Sequence, residues 1–197
     1  MKETPPPPGP VKNLEFPEIP ATVLDNGLRL VSIRDDYLPR VSIFLGFPSG
    51  RMHDPEGRRG LTQLMADMLK EGTAMRSSRQ IAEAMDRYAL DFDCRVSLEY
   101  TVVQFKLLEN FVEEAMELLS EIIYQASFPA EEWTRAAVRW KGHLASQKSN
   151  PSYLARERIY RELFPGSPLA NCSVDPSTID LLEPGEFSRF HGERFCP

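Results

Sequence analysis

The stretch Gly60–Thr73, GLTQLMADMLKEGT, constrains the fold of this chain most tightly. Leu61, Leu64, Met65, Met68 and Leu69 recur at i, i+3, i+4, i+7 and i+8. That spacing puts them on one face of an α-helix, a face that must pack against other apolar surface. Gly72 stands where a helix C-cap is expected. Gln63, Ala66 and Asp67, at i, i+3 and i+4, share a second face beside the apolar stripe.

The flanking segments define what the helix packs on. Thr22-Val23-Leu24 and Leu28 to Ile33 enclose Asp25-Asn26-Gly27, and Asn-Gly between two strand-like runs is a hairpin signal. Arg40–Phe47 reads as a further strand. The polar loop Ser49–Arg59, with Arg51, His53, Asp54 and Arg58, then leads into the helix. Downstream, Ser77 and Gln80 form a capping box for a helix to Tyr88, with Ile81, Ala84, Met85 and Tyr88 as its stripe. Two strands are expected over 90–97 and 100–108, the second by clean alternation. A helix over 109–125 buries Val112, Ala115, Met116, Leu119, Ile122 and Ile123. The next, over 130–148, presents Trp133, Ala136, Ala137, Trp140 and Leu144, and the seven-residue spacing of its two tryptophans reads as core. Asn150-Pro151 caps and opens another helix, to Phe164. A loop over 165–176 precedes short helices at 177–181 and 184–193. Strands cluster as hairpins and not as βαβ units, so the fold class is α+β: a mainly antiparallel sheet with helices on one face.

The 20 residues at the start contain seven prolines, including the run Pro5–Pro8, and read as an extended linker ahead of a domain over 21–197. Leu14, Phe16 and Ile19 are the apolar points by which that linker could dock as an arm. The net charge of −6 argues against nucleic acid as the main partner, because phosphate binding needs a basic face. No run reaches the roughly 18 apolar residues of a membrane-spanning helix. No signal peptide precedes Lys2; an exported destination is expected if Met1 replaces a removed signal. The three cysteines, Cys94, Cys172 and Cys196, form no CxxC pair, and their odd number leaves room for one bridge, Cys172–Cys196. His53 and His191 have no ligand-spaced neighbours and read as loop and surface residues. No phosphate-binding loop, GxGxxG or GxSxG motif occurs.

Taken in order, these segments resemble the N-terminal domain of the insulinase/pitrilysin peptidases, the inverted zincins that include mitochondrial processing peptidase. The resemblance runs from about residue 21 to 197. It is carried by Leu24-Asp25-Asn26-Gly27-Leu28-Arg29, by Arg40 to Arg51, by the Gly60–Thr73 helix, by Phe128 to Pro151, and by Phe187 to Pro197. It also implies that the family continues into a further strand where this chain stops, so a fragment of a longer protein is expected.

Active members of the family carry H-x-x-E-H on this helix. Two His four residues apart hold zinc, the Glu is the general base, and a Glu on a later helix is the third ligand. Aligned on the Gly60-Leu61 and Met68-Leu69 flanks, the first His falls on Gln63, the Glu on Ala66 and the second His on Asp67. Counting back from Asn150-Pro151, the distal Glu falls on His143. An amide is a poor zinc ligand, and a methyl group cannot accept a proton. The resemblance therefore implies no catalytic residue and no resident metal or other cofactor. It points to a non-catalytic subunit that pairs with an active, zinc-bearing homologue to bind or process peptides. Two alternatives stay open. One is a self-associating scaffold without a peptidase partner. The other is an enzyme whose substitute site, Gln63, Asp67 and His143, holds a metal weakly. Against that second alternative, Asp67 also reads as an ordinary surface carboxylate and His143 as a helix-surface histidine beside Trp140.

Overall fold

The computed structural model describes residues 18–35, 37–171 and 173–195. Most of the proline-rich leader and the expected Cys172–Cys196 pair lie outside the described residues. The chain divides into two units, one up to Leu38 and one from Pro39 onward.

The first unit holds the expected hairpin. β1 (Ala21–Val23) pairs antiparallel with β2 (Arg29–Val31), with Thr22 opposite Leu30. Gly27 adopts φ 83° in the turn, a conformation that favours glycine, and the Asn26 side chain accepts from the Leu28 amide at 3.1 Å.

The second unit is built on a three-stranded antiparallel sheet, order β3-β5-β4, from β3 (Arg40–Phe47), β4 (Asp91–Val96) and β5 (Thr101–Leu108). Alternation decides its faces. Rows such as Ile43–Phe105–Phe92 and Leu45–Val103–Cys94 cross the sheet on the inner side, as the register requires. Against that side pack α1 (Leu61–Met68), α3 (Val112–Tyr124), α4 (Ala130–Gln147) and α7 (Pro184–Arg194), which contribute residues to one hydrophobic cluster. All five apolar residues of the opening stripe are at most 1% exposed. Fully burying each such side chain contributes about 1.5–3 kcal/mol, so this stripe is a large share of the core. The remaining helices are α2 (Ser78–Arg87), α5 (Pro151–Leu163) and α6 (Pro176–Leu181). α2 begins at the expected Ser77–Gln80 capping box, and α5 begins at the Asn150 cap with Pro151 next.

Four expectations are corrected. Gly72 is not the cap of α1. The helix ends at Met68 with Leu69 as C-cap, and Gly72 lies in an isolated bridge to Ser77, where a Cβ would come within 2.7 Å of Pro129 Cγ. Close approach, not helix termination, requires that glycine. In α3 the stripe turns so that Leu118 is buried and Met116 is 45% exposed. Glu121 is buried in the same helix because Thr73 and Arg76 both bond its carboxylate, joining the turn after α1 to α3. Trp133 is core, edge-on to Phe187 and donating Nε1–H to the Leu182 carbonyl at 3.1 Å, but Trp140 is only half-buried. His191 is a buried residue and not a surface one, 5% exposed, with Nε2 at 2.7 Å from the Ile123 carbonyl.

Candidate functional site

The loop before α1 determines how that helix is presented. Gly60 takes φ 96° and sits against Val174, with no room for a Cβ. The Asp54 carboxylate then caps the helix from six residues upstream. It accepts from the Gly60 amide at 2.6 Å, the Thr62 amide at 2.8 Å and the Thr62 hydroxyl at 2.6 Å. Burial pushes the Asp54 carboxyl above its ordinary value, although bonds from Thr62 and Gly60 and the charge of Arg51 act the other way. His53 holds the same loop, its Nδ1 accepting from the Gly50 amide at 3.0 Å.

So anchored, α1 turns Gln63, Ala66 and Asp67 into a cavity of about 1080 Å³ that is also lined from β4, α4 and α5. His143 lines it from α4. The structure therefore brings together all four positions singled out in the sequence. Gln63 Nε2 donates to Asp67 Oδ1 at 3.1 Å. Asp67 is half-buried and not an ordinary surface carboxylate; burial pushes its carboxyl above the usual range, and the Gln63 bond and the charges of Lys70 and Arg139 only partly offset that. His143 is exposed, packs edge-on to Trp140 at 5.6 Å between centroids, and has Nε2 at 2.8 Å from Gln147 Nε2. Cys94, on β4 behind Asp67, has its thiol pushed up to about 12, first by burial and then by the charges of Asp67 and Asp93.

This donor set does not suit zinc. Gln63 offers an amide, the Asp67 carboxylate is engaged by Gln63, and the His143 imidazole is engaged by Gln147. Among the described residues no three His, Cys, Asp or Glu side chains converge as a cage. Ala66 contributes only a methyl group beside Asp67.

Sequence reasoning missed other lining residues: Trp140, assigned to the core, and Lys70, Arg139, Tyr153, Arg156 and Arg161. The cations alternate with apolar residues of amphipathic helices, where a solvated face gives the same pattern.

A sheet with one helix-covered face and a cavity beside the α1 motif positions is the architecture of a peptidase-like domain. The family model for insulinase (peptidase family M16) matches residues 29–177, and the chain belongs to that family. An uncharacterized zinc protease of Rickettsia bellii (strain RML369-C) is 26% identical over 173 residues, covering 87% of this chain and 42% of the relative. A non-peptidase homolog, YmxG, of Helicobacter pylori is 26% identical over 137 residues, covering 70% of this chain and 32% of the relative. Subunits alpha and beta of the mitochondrial-processing peptidase are further relatives. The crystal structure of the peptidase M16 inactive domain from Pseudomonas fluorescens superimposes with a TM-score of 0.84 at 24% identity, covering 89% of this chain and 43% of that one. The chain thus spans less than half the length of these relatives. Among the described residues no helix is long and apolar enough to cross a membrane.

Proposed function

We propose that this chain is a non-catalytic member of the family, which pairs with a zinc-bearing homologue and contributes a peptide-binding wall in place of a second reaction centre. The observation that carries the reading is the α1 face itself: a methyl at Ala66 where the family places its general base, beside an Asp67 carboxylate bonded by Gln63. General-base help is worth about 10²–10⁴ in rate, and Ala66 supplies none. The scaffold around that face is intact, with a core-packed α1, a capped N-terminus and an open cavity. β4, which contributes Phe92, Asp93 and Cys94 to the cavity, is an edge strand of its sheet. Such an edge can hold an extended peptide by strand addition, which needs no catalytic group.

The test is recovery of the tagged full-length protein from its native cells at endogenous levels. A homologue with an intact HxxEH motif, in about equal amount, is expected to accompany it. Recovery of the chain only with copies of itself would replace the pairing with a self-associating scaffold.

A further inference from the structure

The charge inside the cavity runs opposite to the charge of the chain. The lining carries six cationic side chains and four acidic ones, within a protein of net charge −6. Two of the acidic groups are ion-paired, and the other two accept hydrogen bonds from neutral donors. Glu71 is paired with Arg139 at 3.2 Å, and Asp93 with Arg95, outside the lining, at 2.6 Å. Asp67 is bonded by Gln63, and Glu157 accepts from the Tyr153 hydroxyl at 3.1 Å. Three cations are not so matched. Lys70, Arg156 and Arg161 make no ion pair among the described residues. Lys70 Nζ stands 5.9 Å from the centre of the Phe92 ring and Arg156 Cζ 5.8 Å from that of Tyr153, so each is backed by a ring face, and all three side chains are exposed. Lys70 lies in the turn after α1, and the two arginines lie on α5.

We infer that this cavity selects extended peptide segments rich in Asp or Glu, whose carboxylates are held by Lys70, Arg156 and Arg161. The inference rests on the peptide-binding part of the proposed function and adds to it the class of peptide. At about 1080 Å³ the space lies just above the roughly 300–1,000 Å³ typical of small-molecule pockets, which favours a chain segment over a small anion. Arginine takes a carboxylate through two parallel hydrogen bonds, so the two arginines supply direction as well as charge. Nucleic acid fits less well. A polyphosphate extends beyond the cavity, where the acidic remainder of the chain repels it.

Fluorescence anisotropy of the full-length protein with short labelled Glu-Ser, Lys-Ser and Gln-Ser repeat peptides tests this. The acidic peptide is expected to bind about tenfold or more tighter than the basic one at low salt, roughly the effect of one charge-assisted contact. The ratio should shrink at about 0.5 M salt, where surface charges are screened. Reversal of charge in Arg156→Glu/Arg161→Glu should abolish the preference, and Arg79→Glu, 87% exposed on α2, should leave it intact. Tighter binding of the basic peptide, or equal binding of all three, overturns the inference while leaving peptide binding standing. Loss of preference in Arg79→Glu as well overturns the assignment to this cavity. Binding of none of the peptides overturns the inference and the peptide-binding reading together.

Discussion

Ala66 and its neighbours put the chemistry of this chain within reach of single substitutions. Gln63, Ala66, Asp67 and His143 line one cavity, so replacing all four should rebuild a metal site on an intact backbone. The variant Gln63→His/Ala66→Glu/Asp67→His/His143→Glu is expected to take up about one zinc per chain in equilibrium dialysis. Its thermal midpoint should rise with zinc, as binding to the native state alone requires. A folded variant that takes up no zinc would show that α1 and α4 do not present these positions as a set. His191 makes a second residue-level case. Burial lowers its pKa from the ordinary 6.5, and the bond to the Ile123 carbonyl only partly counters this. The unfolded chain therefore protonates first as pH falls. Stability from this group is fully present above 6.5 and is lost as pH drops through the lower native value. Urea unfolding across that range should show the decline, and His191→Gln should flatten it. An unchanged slope in the variant would assign the decline to other groups.

Among the elements, α1 depends on groups outside itself. Its N-terminus is capped by Asp54 at Gly60 and Thr62, not by the residue immediately before it. Asp54→Ala leaves those donors without their partner. It should cost about 1–2 kcal/mol in chemical denaturation, with the loss local to α1 and the cavity. Thr62→Val should lose less, because it removes only the hydroxyl's contacts, with Asp54 and at 3.4 Å with the Gly50 carbonyl, and leaves both amide bonds to Asp54. An Asp54→Ala variant as stable as the wild type would mean that water replaces the cap. The elements also show where periodicity is informative. α2, α4, α5 and the three strands of the larger sheet follow directly from stripes, caps and alternation. Asp54 was not legible as a cap because six residues of loop separate it from Gly60, and capping signals in sequence are local. Met116 and Leu118 exchanged roles because both are apolar although they lie about 200° apart on the helix, so apolar character alone does not say which side is buried.

For the whole molecule, the hydrophobic pattern specified the order of layers, and the resemblance, not composition or spacing, specified which face of α1 to watch. Tertiary pairing was out of reach from sequence. The Glu121–Arg76 bond and Trp140 at the cavity wall each depend on residues distant in the chain. The same holds for the excess positive charge in the cavity, which the net charge of −6 conceals. What the assembled molecule presents is a peptidase-family core whose motif face carries hydrogen-bonded polar groups and a methyl. The most direct test is the zinc content of the purified full-length protein, measured by plasma mass spectrometry after metal-free dialysis, together with its hydrolysis of unfolded peptide without a partner. Zinc far below one per chain and no hydrolysis are the expected results. One zinc per chain with partner-free hydrolysis, lost on chelation, would contradict the non-catalytic reading.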